Sequence, residues 1–384
     1  MGQALPGPLQ GLRVLDFTNM LAGPYCTRLL ADHGAEVIKV EPPEGDHNRN
    51  RRPVRDGHSS FFGHVNCGKR SIVLNLKSPE ARAHALALAD TADIVVENWR
   101  PGVAARLGLD HPTLSARRAG LIYCSISGFG QEGPGALRPA YAPIVHAASG
   151  FDLAQLLYQN QKAPNARPAN TATFIADVMG GLAGFAAIQT ALYHRQNTGA
   201  GQFVDVSLLD CMLNLMVYEI QEAQSPSPAP IRVYQPLRAR DGYVVTAPTS
   251  QRNFEVLCRT IGHPEWIADP RFATTKIREE NWEALMRLIE DWTSPRGAAE
   301  CESILLEAGV PCTRYHSVAE VLADPQTLGR GSFTRVADPA GSYLVPNAPF
   351  RMPGLAIAAR PHVPALGEDN AAILNGLRRR DISP

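Results

Sequence analysis

The sequence predicts an α/β protein, with a large domain built on a parallel sheet and a smaller α+β domain. Strand-like and helix-like blocks alternate through the N-terminal half, the rhythm of βαβ units and of a sheet covered on both faces. The segment Ala223–Pro230 (Ala-Gln-Ser-Pro-Ser-Pro-Ala-Pro) reads as a stiff Pro/Ser linker. The length of 384 residues exceeds what one compact core usually serves.

The elements follow in order. Leu12–Phe17 reads as a strand, Tyr25–His33 as a helix closed by Gly34, and Glu36–Val40 as the next strand. Ser71–Leu76 is a further strand, and Ser78-Pro79-Glu80 opens an Ala/Leu-rich helix with proline in its first turn. Asp93–Glu97 and Leu121–Ile126 complete the strands of parallel type. A long apolar helix is expected to begin at Val178 and to end near His194-Arg195. These assignments give a large domain over residues 1–222, a linker over 223–240 and a small domain over 241–325. In the small domain Gly242–Val245 starts a strand, with helices near Gln251–Ile261 and Glu279–Trp292. Residues 326–384, rich in Pro and Gly, are expected to return to the large domain as an irregular segment.

Composition narrows the function. Lys plus Arg and Asp plus Glu both number 37, so the net charge is zero, which argues against a nucleic-acid or acidic-membrane partner. Seven cysteines at irregular spacing, with no C-x-x-C or Cys/His cluster, suggest neither a disulfide framework nor a metal site. A cytoplasmic setting is expected on that ground, and Met1–Pro6 lacks the pattern of a signal peptide. Phe174–Tyr193 is the most apolar stretch, but Asp177, Gln189 and its glycines make it a poor membrane span.

Several segments carry chemistry. Gly128-Phe129-Gly130-Gln131-Glu132-Gly133 matches G-x-G-x-x-G after a strand, yet Pro134, Gly135 and Pro139 oppose the helix that a dinucleotide site requires. The better reading is a glycine loop that lets backbone N–H groups approach a ligand. Asp177 stands where the long helix starts. It is by default an N-cap, and alternatively a carboxylate kept ionised by helix-terminal N–H groups and left open by the adjacent glycines. Lys69-Arg70, Lys77, Arg100 and Arg106 are candidate phosphate holders, although Lys69-Arg70 also reads as a solvated turn. Asn98-Trp99-Arg100-Pro101-Gly102 lies past the carboxyl end of a strand, where α/β folds bind ligands. There Trp99 suits the floor of a purine site or, equally, an inward-packed loop. Arg49, Arg51, Arg52 and Arg55 make either a solvated loop or a lid that binds carboxylates. His146 reads as a core histidine.

Taken together, Leu15–Thr18 with Ala22-Gly23-Pro24, His33–Glu41, Asn66–Ser71, Glu97–Gly102, Ser127–Gly130 and Thr198–Asp210 resemble the class III CoA-transferase family, in its order. That family also holds the α-methylacyl-CoA racemases and carnitine CoA-transferase. Ala348-Pro349-Phe350 and Leu366-Gly367-Glu368 match its C-terminal part. The resemblance implies a Rossmann-like large domain built from both chain ends, a small domain on long linkers, and a homodimer of interlocked rings. It implies acyl-CoA and a carboxylic acid as substrates, with no tightly bound cofactor. It puts Asp177 on the catalytic aspartate, and Leu74, Lys77, Asn98, Trp99, Arg100 and Arg106 on positions that line or clamp CoA.

The implied chemistry is attack of Asp177 on a donor thioester, an aspartyl-CoA thioester, and return of CoA to an acceptor acid. An ionised aspartate needs no general base. The Gly128 and Gly130 N–H groups are expected to face the oxyanion, and Tyr141 to orient the acyl or carboxylate group. Racemase relatives carry His-Asp where Tyr141-Ala142 stands, and neither Tyr nor Ala exchanges an α-proton near neutral pH, so racemisation is not expected. Oxalate-using relatives have a glycine-run loop in the small domain, and nothing like it occurs over Asp241–Ser250, which speaks against formyl-CoA:oxalate transfer. The arginines 49, 51 and 52 suit a second carboxylate, so a small dicarboxylate is expected, with succinyl-CoA as donor. Leu21 and Pro42 stand where some relatives have polar or basic CoA contacts. A carnitine-like or aromatic acid is the alternative substrate, and a non-catalytic CoA- or nucleotide-binding dimer the alternative class.

Overall fold

The computed structural model describes residues 6–159, 166–226 and 233–381. The start of the chain and the centre of the Pro/Ser segment, residues 227–232, lie outside the described residues. The chain divides into two compact units, one of Met1–Ile220 with Gln326–Pro384 and one of Gln221–Pro325.

The first unit is organised by six parallel strands: β1 (Arg13–Asp16), β2 (Glu36–Glu41), β3 (Arg70–Val73), β4 (Ile94–Glu97), β5 (Ile122–Ser127) and β6 (Gln202–Ser207). They lie in the order β3-β2-β1-β4-β5-β6, each neighbour pair parallel. Every residue of β4 and β5 is buried, as expected of strands covered on both faces. Alternate side chains serve opposite layers. Val14 packs with Leu29 and Ile188, from the helices Ala22–Asp32 and Ile175–Thr198. Leu15 packs with Ala85, Leu114 and Ile373, from the helices Pro79–Ala89, His111–Arg117 and Asn370–Asp381. Because β2 and β4 flank β1 on opposite sides, the sheet reverses its winding there and opens a crevice at the carboxyl ends of β1 and β4.

Sequence and structure differ at four places. The apolar helix starts at Ile175, three residues earlier than expected, with Phe174 at its N-cap and Asp177 inside the first turn. Leu237–Ala239, within the expected linker, is a strand paired with Gly242–Thr246 in a three-stranded sheet completed by Cys312–Arg314. The second expected small-unit helix is two, Thr275–Glu280 and Trp282–Thr293, packed on a core of Phe254, Leu285, Ile289 and Cys301. The C-terminal stretch is more regular than its composition suggests. Phe333–Asp338 and Gly341–Pro346 form a hairpin whose turn holds Ala340 N–H on Asp338 Oδ1 at 2.9 Å and Gly341 at φ +109°.

The chain end also closes the sheet. Asp369 Oδ2 accepts from Ser71 N–H at 3.0 Å and Asn370 Oδ1 from Val73 N–H at 2.8 Å, so two donors of the β3 edge strand are covered by side chains.

Candidate active site

The crevice at the β1 and β4 ends is a cavity of about 360 Å³. Phe17 and Trp99 form one wall, their rings 5.3 Å apart, and Leu74, Leu76, Lys77 and Pro42 line the rest. Trp99 owes its place to Glu97, whose carboxylate accepts its backbone N–H at 2.8 Å. Burial pushes the Glu97 carboxyl up to about 7, against the pull of the Ser125 and Trp99 hydrogen bonds. Sequence reading missed Phe17 and the role of Glu97. Their signal was position alone, Phe17 directly after β1 and Glu97 at the end of β4, beside the switch point.

A smaller cavity of about 100 Å³ shares Asn19 and Trp99 with the first. Its lining includes Asp177, Gly128, Tyr141, Asn98, Arg100 and Arg138. The expected site residues thus divide between the two. Leu74, Lys77 and Trp99 line the crevice, while Asn98 and Arg100 stand with Asp177. Arg106 is exposed on the short helix Val103–Leu107 and lines neither cavity. Asn98 spends its amide on the loop after β1, accepting from Asn19 N–H at 2.9 Å and donating to Asn19 C=O at 2.8 Å. That clasp, not a free ligand contact, is its role in this structure.

Asp177 is partly buried, and its carboxylate accepts no side-chain or backbone hydrogen bond among the described residues. The first-turn N–H of Ala176 goes to His146 Nε2 at 3.1 Å. Burial pushes the Asp177 carboxyl up to about 6, opposed by the nearby Arg51 guanidinium. The expectation of a capped, low-pKa aspartate is therefore corrected: desolvation outweighs the helix terminus. The glycines after it have another task than leaving an oxygen open. A Cβ on Gly181 would stand 2.8 Å from Ala22 C=O, and one on Gly180 2.2 Å from Leu208 Cδ2, so both seat the helix against its neighbours.

The glycine loop follows β5 without opening a helix, since the next helix is Ala142–Ala148. Gly128 lines the Asp177 cavity, whereas Gly130, at φ +83°, lies against Asp205 and Ser207. Tyr141 is exposed at the N-cap of Ala142–Ala148.

The arginine cluster separates into different roles. Arg49 makes paired 2.7 Å bonds to Glu41 and stacks 3.9 Å over Phe62, and Arg55 pairs with Asp338 at 2.8 Å. Both are structural, and Arg49 is no open carboxylate site. Arg52 is exposed. Arg51 alone reaches the site: its guanidinium lies 4.4 Å from the Phe61 ring and 4.8 Å from that of Phe174, three residues before Asp177. Lys69 and Arg70 form neither a phosphate site nor a solvated turn. Lys69 is buried on Asp16 Oδ2 at 2.9 Å, Thr27 Oγ1 at 2.7 Å and Asn66 Oδ1 at 2.8 Å, and Arg70 pairs with Glu36 and Asp369.

The fold and the site together define a doubly wound α/β protein whose ligand crevice leads to a partly buried carboxylate. The chain belongs to CoA-transferase family III, whose model matches residues 9–370. It is 37% identical over 379 residues to an acetyl-CoA:oxalate CoA-transferase of Acetobacter aceti, covering 96% of this chain and 95% of that one. It is 33% identical over 386 residues to a succinate–glutarate CoA-transferase of Agrobacterium fabrum, covering 96% and 95%. A solved structure of a CaiB/BaiF family protein from Brucella suis is 34% identical and superimposes with a TM-score of 0.83, covering 97% of this chain and 100% of that one. The chain is an acyl-CoA:carboxylate CoA-transferase that takes CoA thioesters as substrates.

Proposed function

We propose that Asp177 carries CoA between acids as a covalent aspartyl thioester, and that at least one of the acids is a small dicarboxylate. The observation that carries this reading is the Asp177 carboxylate itself, free of hydrogen bonds among the described residues, in a cavity that shares Asn19 and Trp99 with the crevice. A carboxylate oxygen of Asp177 attacks the donor thioester carbon, the C–S bond breaks, and a mixed anhydride and CoA thiolate result. The thiolate attacks Asp177 Cγ and expels the donor acid. The acceptor carboxylate then attacks the same carbon, thiolate leaves again, and its attack on the acceptor acyl carbon restores Asp177. Gly128 N–H is the oxyanion contact that fits this path. Leu74, Lys77 and Trp99 hold the CoA moiety in the crevice, and Arg100 and Tyr141 orient the acyl end.

Arg51 supports the dicarboxylate reading. It has no ion-pair partner among the described residues, and two aromatic rings fix its planar donors beside Asp177. Relatives named for oxalate, mesaconate and glutarate point the same way. The relative named for oxalate at 37% identity returns oxalate to the candidates, against the expectation drawn from the missing glycine-run loop. Succinyl-CoA and acetyl-CoA are the donors to try first. An interlocked homodimer is part of the proposal. Exposed Leu153, Leu157 and Val217 on the helices Phe151–Tyr158 and Val217–Gln224 support a partner surface. The seven cysteines, all free thiols, suit a reducing, cytoplasmic compartment.

The test is mass spectrometry of the protein incubated with succinyl-CoA, acetyl-CoA and longer monocarboxylic thioesters. The expected product is a CoA adduct on the Asp177 peptide, absent in Asp177→Ala. An adduct elsewhere would sink the nucleophile assignment, and exchange confined to monocarboxylic acids would sink the dicarboxylate.

A further inference from the structure

His146 is fully buried on the Ala142–Ala148 helix, at the joint between that helix and the start of the Asp177 helix. A backbone N–H only donates, so Nε2 must accept from Ala176 and the ring must be the neutral tautomer with its proton on Nδ1. That Nδ1 has no partner among the described residues, although buried polar groups are normally satisfied. A plain core position would be better filled by an apolar side chain. The ring is held against Phe151, with centroids 5.7 Å apart, which fixes where Nε2 points.

Two acceptors lie close to the Ala176 N–H, the His146 imidazole that holds it and, one residue further along the chain, the Asp177 carboxylate. The first N–H groups of a helix lack intrahelical partners, Phe174 offers no side-chain cap, and a carboxylate in the first turn is stabilised by such donors. Here the imidazole holds the donor and the carboxylate does not. We infer that His146 is a positioning residue. By engaging Ala176 N–H it fixes the first turn of the helix and keeps that donor off Asp177, which leaves the carboxylate unbonded toward the substrate. A hydrogen bond to a carboxylate stabilises its charged form and makes it a poorer nucleophile. The raised Asp177 pKa, set by burial and opposed by Arg51, agrees with the missing bond. The charged groups acting here are Arg51 on Asp177 and Asp152 on His146.

This inference rests on Asp177 being the nucleophile, and the experiment separates the two. Single-turnover labelling of Asp177 by acetyl-CoA or succinyl-CoA, whichever labels the wild type, is followed in His146→Leu and His146→Gln across pH. His146→Leu should slow labelling by about tenfold. Its affinity for CoA should stay within about twofold, and its acid limb should move to lower pH as Ala176 N–H caps the carboxylate. His146→Gln, whose amide oxygen accepts from the same N–H, should label within about threefold of wild type. Wild-type labelling in the Leu variant, or a Gln variant as slow as the Leu variant, overturns the inference. If His146→Leu does not fold, the Gln variant decides alone: labelling slowed by more than about tenfold overturns it. A wild type that exchanges CoA without labelling Asp177 removes the nucleophile reading, and this inference with it.

Discussion

Asp177 illustrates how burial sets the working range of a side chain. Its carboxyl is moved from the ordinary value of 3.8 to about 6, first by desolvation and against the pull of Arg51. Only the ionised form is nucleophilic, so turnover should rise about tenfold per pH unit below pH 6 and level off above it, as a pH–rate profile will record. Arg51→Leu removes the opposing cation and should move that limb to higher pH; an unmoved limb would show that Arg51 does not act on Asp177. The same shift costs stability. A carboxyl whose folded pKa is raised holds its proton more tightly when folded, so its contribution is present below pH 4 and lost as pH rises through about 6. Asp177→Asn should therefore stabilise the protein above pH 6 by about 1–3 kcal/mol while exchange is abolished, and thermal unfolding checks the sign.

Among the elements, the Ile175–Thr198 helix shows what sequence could and could not disclose. Its apolar run was plain, although the sequence places its end near His194-Arg195 and the helix runs on to Thr198 with Gly199 as its cap; the strands β1 to β5 were legible from their Val/Ile runs. The true helix start was hidden because Phe174 caps without a side-chain hydrogen bond, so no Ser, Thr or Asn marked it. The glycines were misread because a close approach between helices leaves no local signal. Gly181→Ala should cost about 1–3 kcal/mol, since the added methyl meets a backbone carbonyl that cannot turn away. A thermal midpoint equal to wild type would contradict that packing. Arginine density was a poor guide for a related reason: a guanidinium's partner is chosen by the fold. Arg49 found Glu41 on β2, Arg55 found Asp338 nearly three hundred residues away, and of the three only Arg51 was left beside Asp177.

For the whole molecule, the decisive contacts are those joining the two ends of the chain. The sequence places the C-terminal segment on the large domain but not what it does there, since the hydrogen bonds that Asp369 and Asn370 accept from a distant strand leave no periodicity to read. Replacing both by alanine should speed amide exchange at Ser71 and Val73, the donors they cover, with the protection of β1 largely kept. Equal exchange at those two amides would show that the cover is not needed. The arrangement also has a meaning during synthesis. Asp369 follows Ser71 by 298 residues, so at about 5–20 residues per second the ribosome needs roughly 15–60 s between making the β3 edge and making its cover. Throughout that interval the nascent protein carries an open strand, and the arrival of Asp369 and Asn370 is what withdraws it from other chains.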